Sequence, residues 1–514
     1  MALTRLLQQW WQELHQTILI NPFLFSSLIL LLLFALNFLK GGRKLKLPPS
    51  PPSLPIIGHL HLQGTLPHRT YRSLSQTFGP ILLLHLGRAP TLVVTSAEIA
   101  KEIMKAQDVT FSNRFQTRAA KGILYGCCDL AFSPPGEYWR QMRKISILQL
   151  LSLNRVLSFD FIREEEVAGL IENIHGATLE GAAVNLGELF VQISSNIISR
   201  CVLGRKYESE DNKRFGELSR SAMEHMGAFC FQDFFPSLGW IDVLSGFAKR
   251  LKNTSEGLDT FLDELIERHR SFDGNYDQPD KNSFLEILLE LQKEGMMEMD
   301  FTIDNIKAIL LNVFMGGTDT TSSTMEWAMA ELMKNPTKME KAQEEVRRVV
   351  GKKSKVKQDD IDQMEYLKCV VKETLRLHPP GPFLIPRELS QSAKLGGYDI
   401  PPKTRVLINA WAIQRDPKYW DNPEEFLPER FADNPTDFRG QDFQFIPFGA
   451  GRRGCPGISF GVTELEDVLA NLLYWFDWKL PIGEEPEDLE MSEVFGLAVH
   501  KKIELRLVPV IHSP

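Results

Sequence analysis

The sequence predicts a mainly α-helical protein with a small β region. Its 514 residues are 43% hydrophobic and 24% charged, which is ordinary for a globular protein that can bury a sizeable core. Two short runs rich in branched residues flank a Gly-Arg-Ala-Pro turn within 81–95, as paired strands do. Helical patterns dominate afterwards, and residues 304–335 read as one long helix that stops before Pro336. Near the C terminus, 463–478 has helical periodicity, whereas 497–510 alternates like a hairpin.

Charge and cysteine content exclude several classes of protein. The formal net charge of -8 argues against a general nucleic-acid binder, so we expect no nucleic-acid partner. The six cysteines are few and irregularly spaced, unlike a disulfide framework or a zinc site, and they indicate a reducing compartment. No C-x-x-C-H sequence occurs, so covalent attachment of a c-type haem is not expected.

Residues 1–58 predict a membrane anchor followed by a hinge. The stretch 17–39 carries no charge, and a helix needs ~20 apolar residues to span a bilayer. A cleaved secretory signal is the alternative, but the apolar run is long for one and no small-residue cleavage site follows it. Lys40, Arg43, Lys44 and Lys46 come next, and such an excess of basic residues marks the cytoplasmic side. We therefore expect a short luminal N terminus at 1–16, a transmembrane helix at 17–39 and a basic, proline-rich, stiff hinge at 40–58.

The stretch 448–457, Phe-Gly-Ala-Gly-Arg-Arg-Gly-Cys-Pro-Gly, places one thiol and two arginines among four glycines. Glycine lets the backbone approach a large flat ligand closely, because it has no Cβ and tolerates positive φ. A thiolate such as that of Cys455 ligates iron in haem enzymes that activate dioxygen, and the guanidinium of Arg453 suits bidentate pairing with a haem propionate. A buried free cysteine in a turn is one alternative. A G-x-G-x-x-G dinucleotide fingerprint is another, which Pro447 and the lack of βαβ alternation disfavour.

The decapeptide resembles the haem-binding signature of the cytochrome P450 superfamily of haem-thiolate monooxygenases, with Phe448, Gly451, Arg453, Cys455 and Gly457 at the required spacings. The resemblance implies the cytochrome P450 fold, with 59–514 as the haem-binding catalytic domain. It also implies that Cys455 is the axial ligand of the iron in noncovalent haem b. The hinge and the motif variants are most similar to plant microsomal members of specialised metabolism.

The middle of the long helix contains residues that disfavour helices. Each glycine of the Gly316-Gly317 pair costs ~1 kcal/mol relative to alanine, and local rules broken together often mark function. Residues 316–321 match the family's oxygen-binding motif, and the resemblance implies that Asp319 and Thr320 relay protons to dioxygen while the glycines let the helix widen. The alternative for Thr320 is a hydroxyl that bonds back to the helix carbonyl four residues earlier.

Further motifs of the family surround the implied haem site. Trp139 and Arg143 lie four apart on one helix face and match its W-x-x-x-R pair near the haem propionates, and Arg387 is a further implied propionate partner. The apolar run 378–384 is implied to form a wall of the substrate cavity. For the aromatic cluster between 229 and 240, a core role and a place over the substrate entrance, which the resemblance implies, both remain open; its members are Phe229, Phe231, Phe234, Phe235 and Trp240.

A second set of charged residues matches the family's buried ion-pair triad. Glu373 and Arg376 are three apart on a predicted helix, where an ion pair is natural, and the later arginine is Arg430. A buried guanidinium must be paired to be tolerated. The resemblance therefore assigns Glu373, Arg376 and Arg430 to folding and haem retention, with no role in the chemical step.

These motifs predict a monooxygenase that inserts one oxygen atom from O2 into a small hydrophobic substrate. Because the chain contains no credible flavin or nicotinamide domain, electrons must come from an external donor. The resemblance implies an NADPH-dependent cytochrome P450 reductase, which Arg140, Lys144 and Arg452 are candidates to attract. Membrane lipid is the other partner, with a single pass through the endoplasmic reticulum and the catalytic domain in the cytosol. The alternatives are a haem-thiolate isomerase or dehydratase without an electron donor, which the Asp319-Thr320 pair disfavours, and a membrane-tethered haem carrier or sensor.

Overall fold

The computed structural model describes residues 26–27, 45–206, 209–271, 283–294 and 300–512. Of the predicted anchor at 17–39, these include only Ser26 and Ser27, which are helical and exposed; the rest of the anchor and the segment 1–16 lie outside the described residues. No single helix among the described residues is long and apolar enough to cross a membrane. Two helical stretches bent by 66°, Glu137–Ser158 and Asp160–Leu179, reach that length and apolarity only as a pair.

The chain divides into two compact units. The first comprises Met1–Leu47 and Gly397–Asp399. Within it, the Lys46 backbone N–H donates to the Asp399 carboxylate (3.0 Å), and the Asp399 N–H donates to the Lys46 carbonyl (2.7 Å). The second unit, Pro48–Gly396 with Ile400–Pro514, contains every site discussed below.

Helices make up most of the second unit. The α-helices are α1 Pro67–Phe78, α2 Ala97–Lys101, α3 Arg118–Ile123, α4 Glu137–Ser146, α5 Leu153–Ser158, α6 Asp160–Glu180, α7 Leu186–Leu203, α8 Ser209–Gly227, α9 Phe231–Phe234, α10 Ile241–Leu244, α11 Phe247–Arg270, α12 Phe284–Glu294, α13 Ile303–Lys334, α14 Pro336–Val350, α15 Gln358–Ile361, α16 Glu365–Leu377, α17 Ala410–Ile413 and α18 Ile458–Trp475. Single turns of 3-10 helix occupy Leu60–Leu62, Pro236–Leu238, Pro428–Phe431, Gly451–Arg453 and Pro486–Asp488, and π-helical turns occupy Glu102–Ala106 and Ile147–Leu151.

The strands are short. They are β1 Ile81–Leu86, β2 Ala89–Val94, β3 Asn113–Arg114, β4 Val184–Asn185, β5 Arg387–Glu388, β6 Ala393–Leu395, β7 Tyr398–Ile400, β8 Arg405–Ile408, β9 Phe476–Lys479, β10 Glu493–Val494, β11 His500–Lys501 and β12 Arg506–Ile511. The mainly helical fold with a small β region is therefore as predicted.

The largest sheet has the strand order β1-β2-β8-β5-β3, in which only the β2–β8 pair is parallel. The predicted strand pair at 81–95 is the antiparallel hairpin β1–β2. The predicted hairpin at 497–510 is wrong, because β11 pairs with β10 while β12 pairs with β4 and β9. Alternation indicates a half-buried strand, but it does not say which strand lies beside it.

Helix α13 runs through the main core and begins and ends where local chemistry requires. The Asn305 side chain accepts the Thr302 backbone N–H (2.8 Å), which caps the first turn. Pro336 starts α14, so α13 ends before it. Between these ends the helix packs against α7, α14, α16 and α18, and most of its residues are buried. This central position lets one helix carry a wall of the functional cavity.

A second, smaller core lies against the β1–β2 hairpin. Phe234 and Phe235 are buried in it with Leu82 and Leu84, whereas Trp240 remains 57% exposed. Members of the aromatic cluster between 229 and 240 are therefore core or surface residues, and none of them lines the cavity described next. Phe234 and Phe235 are thus core residues, and the place over the substrate entrance that the resemblance implies stays a prediction.

Candidate active site

A cavity of about 330 Å³ lies between α13 and the loop 448–457. The Cys455 thiol lines this cavity and is accessible from it, although the surrounding protein encloses the residue, whereas the other five cysteines, all of them described, are buried or half-buried. Burial raises the pKa of the thiol, while the Gly457 N–H (3.4 Å from Sγ) and the nearby Arg143 charge oppose that rise. The arrangement presents one sulfur ligand to the cavity.

The glycines of the loop are required by its geometry. Gly449 and Gly451 both have φ of 69°, in the left-handed region that favours glycine. A Cβ on Gly451 would lie 2.1 Å from the Met104 carbonyl oxygen. The loop turns back on itself, so that the Cys455 N–H donates to the Phe448 carbonyl (2.9 Å). Gly451 therefore lets the loop pack closely behind the thiol, although it does not line the cavity itself.

Four arginines line the same cavity: Arg114, Arg143, Arg387 and Arg453. Burial lowers the pKa of each, and mutual repulsion between these guanidiniums adds to the effect for Arg114 and Arg453. The carboxylates that oppose this effect belong to Asp108 and Asp129. The excess of positive charge suits a flat ligand that carries two carboxylates.

Arg453 supplies a direct test of whether haem fits. Its Nε donates to the Ser112 carbonyl (2.8 Å) and one Nη to the Ser133 carbonyl, while its other Nη is buried without a partner among the described residues. An unpaired buried guanidinium nitrogen is costly, and a haem propionate would satisfy it. The thiol, the arginines and this nitrogen together fit haem.

Trp139 lies behind the arginines and does not line the cavity. Its ring centroid is 4.1 Å from the guanidinium carbon of Arg453 and 5.6 Å from that of Arg143. Its indole N–H donates to the Leu130 carbonyl (3.0 Å), so this hydrogen bond fixes the backbone of Leu130. The W-x-x-x-R pair is thus brought to the site, with the tryptophan as a support for two cations.

Helix α13 forms the opposite wall. Nothing lies within 4 Å of a Cβ built on Gly316, whereas one on Gly317 would meet Ile198 of α7 at 3.2 Å. One glycine therefore leaves room in the cavity and the other permits close helix packing. The helix continues without a break across both, so the predicted widening is not seen.

The two predicted proton carriers lie on different faces of α13. Thr320 lines the cavity, and its hydroxyl donates to the Gly316 carbonyl (2.7 Å), which is the alternative that the sequence left open. Asp319 does not line the cavity; the Ser219 hydroxyl of α8 donates to its carboxylate (3.4 Å). Burial raises the pKa of Asp319 to about 6, opposed by Ser219 and the Arg220 charge. The structure thus does not bring the pair together in the cavity.

The three residues of the predicted triad meet in the structure. Glu373 is fully buried and accepts two hydrogen bonds from Arg376 (2.7 and 2.8 Å), one from Arg430 (2.9 Å) and one from the Leu427 N–H (2.8 Å). Arg376 also donates to the backbone carbonyls of Gln414, Pro423 and Glu425. The cluster joins α16 to the segment before the loop 448–457 and lies outside the cavity lining.

The remainder of the cavity wall is mostly apolar. Pro380, Gly381 and Leu384 come from the predicted wall 378–384. His378 of that run hydrogen-bonds Glu331 (2.7 Å) and stacks on Trp327, a structural role. Further apolar lining residues include Leu124, Phe132, Met223, Met226, Val313 and Leu497. An apolar ligand can therefore lie above the thiol.

Sequence reasoning missed Arg114 and Asn312, which both line the cavity. Arg114 is the one charged residue of the stretch 109–117, and a lone charge among uncharged residues is the only signal that could have singled it out. Its Nε donates to the Ala131 carbonyl (3.0 Å). Asn312 accepts the Ala131 N–H (2.9 Å) from its place on α13. No motif marks Asn312.

Comparison with known proteins agrees with this geometry. The family model described as Cytochrome P450 matches residues 48–505. The chain is 50% identical to phenylacetaldehyde oxime monooxygenase CYP71AN24 of Prunus mume, with 100% of each chain covered. It is 54% identical to cytochrome P450 71A1 of Persea americana, with 88% of this chain and 91% of that protein covered. A solved zebra fish cytochrome P450 with abiraterone superposes with a TM-score of 0.73 at 26% identity, covering 87% of this chain and 100% of that one.

Family, relatives and fold lead to one assignment. The relatives also include desmethylyatein synthase of Sinopodophyllum hexandrum, at 48% identity over 95% of this chain and 99% of that protein. Haem is the cofactor of such enzymes, and a reductase supplies their electrons. The chain therefore belongs to the cytochrome P450 family, as a haem-dependent plant monooxygenase.

Proposed function

We propose that this enzyme inserts one oxygen atom into a small, largely apolar plant specialised metabolite, with Cys455 as the axial thiolate ligand of haem b. One observation carries the proposal: the Cys455 thiol opens into a cavity that is lined by four arginines and otherwise mostly by apolar side chains. When bound, the haem supplies the activation of dioxygen. Arg114, Arg143, Arg387 and Arg453 would hold its propionates.

Replacement of the thiol tests this assignment. Cys455→Ser is expected to abolish the thiolate-type absorption of the reduced carbonyl complex, since a hydroxyl does not replace a thiolate ligand. Cys128→Ser, which removes a half-buried thiol outside the cavity lining, is the matched control and should leave that absorption intact. Survival of the thiolate spectrum in Cys455→Ser would overturn the proposal.

Proton delivery from α13 is the second part of the proposal. The Thr320 hydroxyl faces the cavity, so it can hold a proton there, and Asp319 with a pKa near 6 can resupply it from the α8 side after its side chain rotates. Thr320→Ala is expected to keep substrate binding but to divert reducing equivalents into hydrogen peroxide. Thr324→Ala is the control, because Thr324 lines the same cavity and also bonds back to a helix carbonyl (2.8 Å). Equal peroxide release from both variants would remove Thr320 from the mechanism.

The relatives narrow the search for a substrate. One of them is named for monooxygenation of phenylacetaldehyde oxime, and the cavity wall here is rich in leucine and methionine side chains that adapt to small aromatic molecules. We therefore expect the strongest substrate-induced spectral shift from small aromatic compounds in a panel that also contains terpenoids and fatty acids. A shift only with long-chain fatty acids would contradict this substrate class.

The proposed electron donor is an NADPH-cytochrome P450 reductase that docks on the surface around α4. Arg140 is paired with Glu137, and Arg452 lies 3.6 Å from Asp108, whereas Lys144 is exposed and has no ion pair among the described residues. Lys144→Glu is therefore expected to slow reduction by the reductase more than Arg140→Glu does, most at low salt, because screening weakens such steering. Turnover driven by added peroxide should be unaffected, and an equal loss in that assay would refute docking.

We further propose that the enzyme is held at the endoplasmic reticulum membrane with residues 59–514 in the cytosol. Besides the apolar stretch 17–39, exposed Ile56, Val243 and Leu244 support membrane contact, with exposures of 83%, 62% and 76%. Ile57, next to Ile56, is tied to the β1–β2 turn, since its carbonyl accepts the Gly87 N–H (3.1 Å). Phe234, on the short helix that precedes the helix of Val243 and Leu244, accepts the Arg88 N–H of the same turn (2.9 Å).

Deletion of residues 1–39 tests the anchor. The deletion should move the haem protein from the integral to the peripheral membrane fraction. Adding Val243→Asp and Leu244→Asp to that deletion is then expected to release it from membranes, because charges are costly at an apolar lipid contact. Glycosylation of an acceptor engineered near residue 60 would place the catalytic domain in the lumen and contradict the topology.

A further inference from the structure

The segment 129–133, which we call the cavity loop, lines the cavity and is hydrogen-bonded to two of its arginines, Arg114 and Arg453. Its residues Leu130, Ala131 and Phe132 line the cavity. The loop has no regular secondary structure, so its shape depends on the hydrogen bonds that its backbone makes.

Three side chains of the proposed haem site hold the carbonyls of the cavity loop. The Leu130 carbonyl accepts from the Trp139 indole N–H (3.0 Å), and the Ala131 carbonyl accepts from Arg114 Nε (3.0 Å). The Ser133 carbonyl accepts from an Nη of Arg453. Arg114 and Arg453 therefore line the cavity and also hold the cavity loop. Trp139 packs against Arg143 and Arg453 and holds the same loop. A shift of the loop would move the groups that face the haem.

The loop's N–H groups converge on one carboxylate. Asp129 is 1% exposed, and its Oδ1 accepts the N–H groups of Ala131 (2.7 Å) and Phe132 (2.9 Å), the short-range pattern in which aspartate fixes a turn. Asn312 of α13 accepts the Ala131 N–H as well (2.9 Å). Asp129 thus sets the turn that directs Leu130 and Phe132 into the cavity, and Asn312 ties that turn to the long helix.

Asp129 also lies close to the arginines, because Ala131 donates its N–H to Asp129 (2.7 Å) while its carbonyl accepts from Arg114 Nε (3.0 Å), so the Asp129 charge acts on them. It opposes the lowering of the pKa of Arg114 and Arg453 that burial and neighbouring guanidiniums cause. Burial raises the pKa of Asp129 to about 6, while the N–H groups of Phe132 and Ala131 oppose that rise. At near-neutral pH the carboxylate is therefore mostly ionised. Its removal would make the surroundings of the haem more positive.

We propose that Asp129 is a positioning residue that couples the two sides of the site: it shapes the substrate-facing loop and supplies counter-charge to the propionate-binding arginines. The proposal rests on the proposed assignment of Arg114 and Arg453 to the haem propionates. It concerns side chains that hold and tune the site and adds no group to the chemical step.

Two substitutions separate the roles in shape and charge. Asp129→Asn keeps an oxygen that can accept the loop N–H groups but removes the charge, whereas Asp129→Ala removes both. Asp360→Asn is the matched control, because Asp360 is a buried carboxylate (2% exposed) that accepts the Lys357 N–H (3.2 Å) far along the chain, outside the cavity lining. All variants are studied as purified full-length haem protein.

The measured quantities are the midpoint potential of the haem and the affinities for imidazole and 4-phenylimidazole. Both Asp129 variants should shift the potential in the positive direction, because a more positive site favours the reduced state. We expect the phenyl group of 4-phenylimidazole to contact the cavity loop, so in Asp129→Ala this ligand should bind about tenfold more weakly, as expected for lost loop hydrogen bonds. Imidazole lacks the phenyl group and should bind as in the native enzyme, and Asp129→Asn should bind both ligands as the native enzyme does.

Several results would overturn the inference. Native potentials in both Asp129 variants would remove the charge role, and native binding of 4-phenylimidazole by Asp129→Ala would remove the loop role. Equal changes in Asp360→Asn would mean that any buried capping aspartate has this effect. If Asp129→Ala yields no haem protein, Asn312→Ala tests the loop through its other hydrogen bond, with the same weakening for 4-phenylimidazole expected. A failure of the axial-ligand assignment shows separately, in the carbonyl spectrum of Cys455→Ser.

Discussion

Glu464 makes the stability of this protein depend on pH in a direction opposite to that of ordinary acidic groups. It is fully buried on α18, where its Oε1 accepts the Ser194 hydroxyl and its Oε2 has no partner among the described residues. Burial raises its pKa to about 8, opposed by Ser194 and Arg163, while Asp467 adds to the rise. In the unfolded chain the same group titrates near the ordinary glutamate value. The native state therefore retains a proton at neutral pH that the unfolded state has lost.

The size of the effect follows from the difference between the two pKa values. The pKa of Glu464 is higher in the folded state than in the unfolded state. The stability that its bound proton contributes is therefore fully present below the unfolded pKa of ~4.3 and is lost as pH rises through the folded pKa of about 8. Each pH unit within that window costs ~1.4 kcal/mol of stability. At pH 7 the accumulated cost is on the order of 4 kcal/mol, a large part of the net stability of a typical protein.

Glu464→Gln tests this account, since glutamine stays neutral and still accepts from Ser194. We expect the variant to be more stable than the native enzyme at pH 7, with an advantage that grows by roughly 1 kcal/mol per unit between pH 6 and 8. Urea unfolding of both proteins, followed by helical circular dichroism at pH 6, 7 and 8, measures the difference. The solvent-exposed Glu485→Gln is the control and should show no such trend. An advantage that does not change with pH, or a native enzyme that is the more stable at pH 8, would refute the reasoning.

Two further predictions concern the framework of the haem site. Glu373→Gln leaves the guanidiniums of Arg376 and Arg430 without counter-charge and should lower the free energy of unfolding by about 3–5 kcal/mol. The loss should appear as a lower denaturation midpoint and less haem protein. Glu365→Gln, in an exposed ion pair, should lower the free energy of unfolding by under about 1 kcal/mol. Gly451→Ala places a Cβ 2.1 Å from the Met104 carbonyl oxygen at a positive φ, so thermal stability and haem content should both fall. Gly169→Ala, in helix α6 with nothing within 4 Å, should be neutral or stabilising by up to ~1 kcal/mol, and equal behaviour of the two glycine variants would contradict this account.

Local sequence patterns sufficed for the long helix and for the loop 448–457, whereas the helix predicted at 463–478 spans Ile458–Trp475 and is followed by a strand at Phe476–Lys479. The long helix was predictable because a capping residue, a continuous pattern and a following proline act within a few residues of one another, and it spans Ile303–Lys334. Similarly, the loop at 448–457 needs glycines for its own backbone geometry, so its composition marked it. The triad could be anticipated only by resemblance, because Glu373 and Arg430 are far apart in sequence.

The tertiary structure decided which side chains meet and which way they face. Two neighbours in sequence, Asp319 and Thr320, lie on different faces of one helix, so only the threonine lines the cavity. Arg114 and Asn312 join the site from a short strand and from α13, through packing that no short-range pattern records. The strand pairing of 497–510 likewise depended on partners elsewhere in the chain. Local chemistry thus determined the secondary-structure elements and the loop 448–457. Burial and long-range packing determined the cavity, its charge and the surroundings of each titrating group.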